Sequence, residues 1–599
     1  MNLTNFLKQT DALTAQYSTE QLIAFIHEIG RIYPAQHRED FLEILQSVGN
    51  KTGKAPDKNL AKDIDFESDF DEMYRRVRHN LKRIDSQEIT ITGNLSGGYD
   101  DWYYDRDDDR EEELYYKDND GILEMMKESC DFVQICMDRK RYKEGFEVGR
   151  QLLAMEILCK DESGDIELSM EDMVYRRLLR CNLKKVILDT LYCAYHAVPS
   201  AKRPKVLYDM IANAKMETVT LESIMQHGNK ELPVLEEFLS GLTSYLGDKT
   251  GETADRIVAE AFCLLNDISI KVQYAGIYAA VHPGLYLNIL ENGKNMLVKD
   301  MISIGIKAIK LIPKKYIMRS RAALKTAEYI IAAKGELSLL EKCYFVAYES
   351  DTSALNYLRA LLNGFGSEKR REMLRKIFMR ISGDKGDNFY ACAEREENRP
   401  DSNMIFLLRF LDGQFADVLD KGLNRAQALG WTGTFMKQGI ALYLLYLYEG
   451  QWNGQGIAAM AELVKSAMQF SAEAYREGVR GLEELEEIEE NDLFCRVFLK
   501  WKSGVQMESD IRDRAVKKIT ALLEKRVVAI MDANRFKYYG ECAAYLAALG
   551  EVRESMGELG AKQRLMTFYK DRYSRRNTFL EEMIHYGWKA CRKTGARDL

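Results

Sequence analysis

Apolar residues recur along most of this chain at the three-to-four-residue spacing of an amphipathic helix. In the segment RAALKTAEYIIAAKG, residues 321–335, they form one stripe, made of Leu324, Ala327, Ile330 and Ile331. The segment closes on Gly335, a residue typical of helix C-termini. Proline, which breaks helix interiors, occurs only eight times in 599 residues and not at all after Pro400. The pattern predicts an all-α chain.

Four helix-to-helix junctions share a short polar turn that ends in an aromatic residue. An acidic residue is followed by small or polar residues, then a basic or amide residue, then the aromatic: Tyr142, Phe415, Trp452 and Phe536. In tetratricopeptide-like hairpins such an aromatic closes the turn between two antiparallel helices. We therefore expect an irregular α-solenoid of tetratricopeptide-like helical hairpins.

One stretch departs from the helical pattern. In QEITITGNLSGG, residues 87–98, the alternation of Ile89 and Ile91 before glycines predicts a short extended segment or hairpin arm. It leads into residues 97–121, which hold eleven acidic and three basic residues, five tyrosines and a tryptophan. The breaks along the chain predict four regions: an N-terminal helical region (1–86), an acidic-aromatic insertion (87–121), and two helical-repeat arrays (122–382 and 383–599).

Composition places the chain among globular proteins, with 46% hydrophobic and 30% charged residues. The formal net charge of −8 equals that of residues 97–121 alone, so the remaining chain is nearly neutral. Binding to nucleic acid through overall charge is therefore disfavoured, although a local basic face is compatible with it.

The eleven cysteines are scattered and form no closely spaced pair. This argues against a disulfide framework and a structural zinc site, and it favours small core residues in a reducing cytoplasm. The N-terminus lacks the apolar run of a signal peptide, and no segment approaches the roughly 20 apolar residues that a membrane span needs. We expect a cytoplasmic protein without a membrane anchor.

Several segments resemble the helical region that accompanies the finger in bacterial SWIM-type zinc-finger proteins. They are LIAFIHEIGRIYPAQHREDFLEIL (22–45), the FVQICMDRKRYKEGFEVGRQLL hairpin (132–153), VAYESDTSALNYLRALL (346–362), and residues 543–583. The finger itself, two close cysteines followed by Cys-x-His, is absent, and CAYH at 193–196 has the wrong spacing. The resemblance implies a helical-repeat scaffold working beside other gene products, without zinc or finger-mediated DNA binding.

The acidic-aromatic insertion is the first candidate contact surface. An EF-hand interpretation fails, because placing Gly121 at loop position six puts Tyr116 at position one and Lys127 at position twelve. Asp118, Asn119 or Asp120 is instead expected to cap the following helix. The aromatic residues indicate either packing onto the protein's own helices or a docking surface, with a looser acidic metal site as a minor alternative. The candidate partner-binding residues are Trp102, Tyr103, Tyr104, Asp107, Asp108, Asp109, Tyr115 and Tyr116.

Residues 299–325 form the basic counterpart, with eight Lys or Arg against one Asp. Clustered cations are what phosphate contact requires. The candidate nucleic-acid-binding residues are Lys307, Lys310, Lys314, Lys315, Arg319 and Arg321. Aromatic residues, which nucleic-acid surfaces often interleave with cations, are limited here to Tyr316.

Catalytic motifs are absent from the sequence. The seven histidines are dispersed, and no phosphate loop, zinc-protease helix or nucleophile elbow occurs. The sequence therefore nominates no catalytic residue, cofactor or metal ligand, and leaves open a site assembled from distant residues. We expect a non-enzymatic scaffold that binds another protein. A nucleic-acid-associated protein using the 299–325 face is the alternative, and an unrecognised hydrolase or nuclease is a distant third.

Overall fold

The computed structural model describes ten stretches of the chain: residues 63–94, 115–161, 164–214, 218–228, 232–293, 296–363, 367–381, 393–424, 426–479 and 488–589. The chain divides into two compact units, residues 1–79 and 80–599. The described part of the first unit is the beginning of one helix, α1 (Asp63–Asp85). The second unit contains all other elements and is considered by itself.

Helices dominate the described residues of the second unit. In its first half they are α2 (Ile122–Asp138), α3 (Tyr142–Ala154), α4 (Met170–Tyr175), α5 (Leu183–Ala197), α6 (Arg203–Ala214), α7 (Leu221–His227), α8 (Leu235–Leu246), α9 (Glu252–Leu264), α10 (Ile268–Tyr278), α11 (Gly284–Asn292), α12 (Val298–Leu311), α13 (Ile317–Ala332), α14 (Leu337–Ser350), α15 (Ala354–Leu362) and α16 (Ser367–Ile381).

The second half continues in the same way. Its helices are α17 (Ser402–Leu411), α18 (Phe415–Lys421), α19 (Met436–Leu447), α20 (Gln455–Ala467), α21 (Ala472–Arg476), α22 (Glu490–Ser503), α23 (Ser509–Asp532), α24 (Tyr539–Ser555), α25 (Ala561–Arg572) and α26 (Asn577–His585). Single 3-10 turns occur at Ser200–Lys202, Ala393–Arg395, Gly422–Asn424 and Phe536–Tyr538. The prediction of an all-α, helical-repeat fold is confirmed. None of the described helices is long and apolar enough to cross a membrane.

A small sheet accompanies the helices and confirms the predicted extended segment. Its strands are β1 (Ile91–Asn94), β2 (Tyr115–Lys117), β3 (Glu156–Asp161) and β4 (Ile166–Ser169), in the order β2-β1-β3-β4. β1 pairs antiparallel with β2 and parallel with β3, and β3 pairs antiparallel with β4. Ile89 and Ile91 are buried, as their alternation predicts. The two ends of the acidic-aromatic insertion therefore lie side by side as hairpin arms.

The C-terminal end of the acidic-aromatic insertion leads into α2, and an aspartate there caps the helix. The carboxylate of Asp118 accepts hydrogen bonds from the backbone N–H groups of Ile122 (2.7 Å) and Leu123 (2.8 Å). These are donors that the first turn of a helix leaves without intrahelical partners. The predicted capping role is thus confirmed and belongs to Asp118.

Successive helices are held close by small residues. Gly149 in α3 faces Thr190 in α5, and a Cβ at Gly149 would lie 2.3 Å from the Thr190 hydroxyl oxygen. Gly456 in α20 approaches the backbone of α24 in the same way, with a hypothetical Cβ 2.3 Å from the backbone nitrogen of Ala548. Such separations exclude any larger side chain unless the helices move apart.

The aromatic junctions are helix turns, but their rings differ in burial. Phe415 is 1% exposed, and Tyr142 stacks on His196 with ring centroids 4.3 Å apart. Trp452 is half-buried beside two phenylalanines of α22, whereas Phe536 is 69% exposed. The expectation that the aromatic closes the turn therefore fails at Phe536. A residue with positive φ precedes three of the four aromatics, because the chain needs a left-handed residue to leave a helix sharply.

The close approach of Gly456 to the backbone of α24 can be tested by measuring stability. We expect Gly456→Ala to destabilise the protein by about 2 kcal/mol, because the new methyl group meets backbone atoms that cannot rotate away. Hydrogen exchange in α20 and α24 would report the loss as faster local opening. Gly430→Ala is the matched control, since its nearest neighbouring atom lies 3.8 Å from a hypothetical Cβ. Equal exchange rates in the two variants would contradict the close approach.

Candidate functional site

The structure describes only part of the predicted acidic-aromatic contact surface. Tyr115 and Tyr116 lie in β2, and the side chain of Tyr116 is 42% exposed. The remaining candidates, Trp102, Tyr103, Tyr104, Asp107, Asp108 and Asp109, lie outside the described residues. Their contact role stays a prediction.

The predicted basic residues separate into two sets. Lys307 and Lys310 in α12 and Arg321 in α13 are exposed. The other three pair with carboxylates: Lys314 with Glu349 (3.2 Å), Lys315 with Glu397 (2.7 Å), and Arg319 with Glu349 (2.9 Å). The aromatic residue of this region, Tyr316, is buried and thus offers no exposed ring for base stacking.

Arg319 holds three helices together. Arg319 is 6% exposed, and its Nε donates to the carbonyl oxygen of Ile309 at the end of α12 (2.8 Å). Its Nη1 donates to Glu349 and to the hydroxyl of Ser350, both in α14 and both at 2.9 Å. Because these protein acceptors surround the guanidinium, Arg319 serves the packing of α12, α13 and α14 rather than presenting a charge to solvent.

Two cavities flank α14. The first, about 330 Å³, lies between α12, the beginning of α13, and α14. The second, about 690 Å³, lies between α14 and α16. Lys342 and Val346 line both cavities, so the two form neighbouring parts of one surface. We call this surface the groove.

The floor of the groove is apolar. Its carbon-rich lining side chains come from α12, α14 and α16 and from the turn after α12, and they are Ile306, Ile309, Ile312, Leu339, Phe345, Val346, Met373 and Ile377. Two of them are clearly open to solvent, Ile306 at 38% and Met373 at 41% exposure. Leu311, Leu337 and Met379 add exposed apolar surface on the same helices. Apolar side chains that line an open cavity in this way typically mark a site of interaction.

The rim of the groove is basic. Seven basic residues line the two cavities against two acidic ones, Glu341 and Glu349. Both glutamates are already paired, Glu341 with Arg370 (2.7 Å) and Glu349 with Arg319 and Lys314. Burial raises the pKa of Glu349, but hydrogen bonds from Arg319 and Lys314 outweigh it and hold that pKa below its ordinary value. Glu349 is therefore ionised at neutral pH.

Some rim cations have no counter-ion in the part of the chain that the structure describes. Among the described residues, no carboxylate lies within ion-pair distance of Lys310, Lys342 or Arg380. All three are exposed. Lys376 pairs with Glu372 one helical turn earlier (2.7 Å), but both of these side chains are more than 60% exposed, so water screens that pair. The rim thus offers positive charge to an acidic ligand.

A third cavity, about 440 Å³, is lined largely by polar residues, and some of these hold the chain together. It lies beside the segment 393–401, which we call the strap. The side chain of Asn398 in the strap donates to the carbonyl oxygen of Glu349 and to the hydroxyl of Thr352, and accepts from the backbone N–H of Thr352. These bonds tie the strap to the turn after α14. The side-chain amide of Asn398 therefore makes hydrogen bonds within the protein and serves the packing of the strap.

Sequence reasoning identified one edge of the groove and missed the rest. Lys310 and Lys314 were predicted as part of the basic face, and the structure places both in the first cavity. Lys342 was missed because it lies outside the 299–325 cluster, and Arg380 belongs to a second basic segment, 367–380, whose sequence carried no stronger signal. No local sequence signal marked Lys342 as a groove residue, because the exposure of Ile306 and Met373 beside it is a property of the packed helices.

Two variants distinguish a cation that supports helix packing from one that faces solvent. We expect Arg319→Met to lower the free energy of unfolding by roughly 3 kcal/mol, because buried acceptors in α12 and α14 lose their donor. Lys310→Met is the control and should leave stability nearly unchanged, since Lys310 is exposed. Thermal unfolding followed by circular dichroism measures both. Equal melting temperatures would show that Arg319 does not hold these helices together.

No protein-family model matches this chain, and no curated protein does. The resemblance to the helical region of SWIM-type proteins stays a prediction, and the function is argued below from the geometry of the groove.

Proposed function

We propose that this chain is a non-enzymatic, cytoplasmic helical-repeat scaffold that binds another protein in the groove. The observation that carries the proposal is the combination of an open apolar floor with rim cations that lack counter-ions among the described residues. An apolar floor gains free energy by burial, at about 25 cal/mol per Å² removed from water. Basic residues around it select the charge of what is buried there.

The occupant that fits is an amphipathic helix with acidic residues on its flanks. Helices commonly bind by laying one apolar face into a hydrophobic groove, with contacts at three- and four-residue spacing. Apolar side chains of the partner would cover Ile306, Phe345 and Met373. Carboxylates on either side of that apolar face would reach Lys342, Lys310 and Arg380. The mixed surface matches such a helix better than it matches a wholly polar ligand.

Nucleic acid remains the second candidate, supported by the exposed Lys307, Lys310 and Arg321. A phosphate backbone would satisfy these cations but would leave the apolar floor uncovered. The ion pairs of Lys314, Lys315 and Arg319 also reduce the positive charge available to phosphate. A protein partner therefore accounts for more of the surface.

Defined probes test the groove directly. The first probe is a fluorescent 16-residue helical peptide with leucine on one face and glutamate on the flanks, and its composition-matched scramble is the second. We expect the ordered peptide to bind more tightly than the scramble in fluorescence anisotropy. We expect Lys310→Glu combined with Lys342→Glu to weaken binding roughly tenfold, because both rim charges reverse.

The control uses a lysine on the same helix. Lys307 is exposed in α12 but lines neither cavity, so Lys307→Glu should change peptide affinity less than twofold. Single-stranded oligo-U RNA is titrated in parallel. Tighter binding of the RNA, lost equally in the Lys307 and Lys310 variants, would reject the groove proposal in favour of the nucleic-acid candidate. Equal binding of peptide and scramble would reject it as well.

The acidic-aromatic insertion is proposed as a second contact surface, and it is tested separately. Replacing residues 99–113 by a Gly-Ser linker of equal length leaves Tyr115–Lys117 of β2 in place. We expect unchanged thermal stability and a lower recovery of the proteins that co-purify with the wild type from its host, because the aromatic contact area is removed. Unchanged recovery would exclude a contact role for Trp102, Tyr103 and Tyr104.

A further inference from the structure

Three side chains with metal-ligating atoms meet at the end of the strap, away from the groove. Asp255 lies in the first turn of α9, His282 in the turn between α10 and α11, and Glu394 in the 3-10 turn of the strap. One ligand atom from each lies within 4.8 Å of the other two. Among the described residues, no other group of three or more His, Cys, Asp or Glu side chains has its ligand atoms this close together.

The backbone around His282 leaves room for the three side chains. The chain turns after α10 through hydrogen bonds from the N–H groups of Val281 and His282 to the carbonyl oxygen of Tyr278. Gly284 then begins α11, and a Cβ at this position would lie 2.6 Å from Oε1 of Glu394. Glycine at this position leaves the room that the Glu394 carboxylate occupies.

The imidazole of His282 is oriented as a ligand. Its ring is fully buried, and Nε2 lies 3.1 Å from the carbonyl oxygen of Leu246, to which it donates a hydrogen bond. In the neutral imidazole this places the proton on Nε2 and leaves the lone pair on Nδ1, the nitrogen within 3.3 Å of Asp255 and 3.8 Å of Glu394. A backbone carbonyl that holds the far nitrogen of a histidine is the usual support for a metal ligand.

The spacing around Nδ1 is that of ligands around a cation rather than of a hydrogen bond. Nδ1 lies 3.3 Å from Oδ1 of Asp255 and 3.8 Å from Oε2 of Glu394. Neither contact has hydrogen-bond geometry, and both Nδ1 and Glu394 Oε2 are buried without a hydrogen-bond partner. Ligand bonds of about 2.1 Å in a tetrahedron separate neighbouring ligand atoms by about 3.4 Å. The two separations from Nδ1, 3.3 and 3.8 Å, are close to that value.

Arg395 supports the arrangement from outside. Its guanidinium donates to both carboxylate oxygens of Asp255, at 2.8 and 2.7 Å, and to the carbonyl oxygen of Val281 at 2.9 Å. This fork fixes the orientation of the Asp255 carboxylate and the position of the His282 turn. Each carboxylate oxygen has a second lone pair, so the fork leaves Asp255 able to bind a cation.

A proton on Nδ1 is the competing explanation. Burial lowers the pKa of His282, but the carboxylates of Asp255 and Glu394 outweigh it and raise that pKa to about 9 when no cation is bound. An imidazolium would make the cluster neutral, with two cations and two anions. Such a buried pair normally closes to a hydrogen bond of about 2.8 Å, however, and neither carboxylate has done so.

We propose that Asp255, His282 and Glu394 bind a divalent transition cation of the zinc type. One nitrogen and two carboxylate ligands from three separate elements suit such an ion, and three protein ligands leave a fourth position open. Because Glu394 belongs to the strap, the bound cation fastens the strap to α9 and to the turn before α11.

Zinc titration of the full-length chain tests the site. The exposed thiol of Cys263 is first removed by Cys263→Ser, since it would bind zinc on its own. The protein is then stripped with a chelator, and Zn²⁺ is added in a calorimeter. We expect about one equivalent to bind, and Glu394→Gln to weaken binding at least about tenfold, because metal affinity depends on ligand identity and charge. His282→Gln should do the same.

A neighbouring glutamate in the strap is the matched control. Glu397 pairs with Lys315 and lies outside the cluster, so Glu397→Gln should bind Zn²⁺ as the parent does. Zn²⁺ should also slow hydrogen exchange of residues 393–401 roughly tenfold in the parent and not in Glu394→Gln. If His282→Gln fails to fold, this hydrogen-exchange comparison still tests whether Glu394 binds the cation.

Two results would overturn the proposal. One is no Zn²⁺ binding, together with a nitrogen NMR signal showing that His282 carries protons on both ring nitrogens at pH 7. The cluster would then be a buried ion network. The other is equal Zn²⁺ binding by the parent and Glu394→Gln, which would place the ion elsewhere on the protein.

Discussion

The burial of Arg319 is the constraint on which the groove depends. A guanidinium cannot leave water unless its donors meet acceptors, so the carbonyl of Ile309, the carboxylate of Glu349 and the hydroxyl of Ser350 must converge on it. That convergence sets α12 and α14 at either side of α13. It also neutralises Glu349, which would otherwise offset the lysines of the rim.

The strap is the second element that organises this region. Its backbone pairs with the beginning of α13. The N–H of Ile317 donates to the carbonyl oxygen of Glu396 (2.9 Å), and the N–H of Asn398 donates to the carbonyl oxygen of Lys315 (2.8 Å). Asn398 then bonds to the end of α14, and Glu394 reaches the cluster around His282. One short segment thus connects helices that are distant in sequence. A zinc ion bound by Glu394 would fasten this segment at one end, whereas the groove lies at the surface of α14.

Local patterns predicted much of the architecture. The stripe from Leu324 to Ile331 forms α13, although the left-handed residue at its end is Lys334 and not Gly335. The alternation of Ile89 and Ile91 does give a strand, and Asp118 does cap α2. These features depend on neighbours within a few residues, which is why a sequence pattern can reveal them.

Residues separated by long stretches of chain were beyond such patterns. Asp255, His282 and Glu394 lie up to 139 positions apart in the sequence, and no local pattern marks any of them as a ligand. The groove likewise combines Ile306 with Met373, and the burial of Arg319 could not be foreseen from a run of basic residues. Helical periodicity, turn residues and caps follow from the local chain, because backbone hydrogen bonds and side-chain spacing act over one or two turns. The cation cluster, the groove and the choice of which lysines face solvent arise only from tertiary packing, because burial and pairing are properties of elements brought together in space.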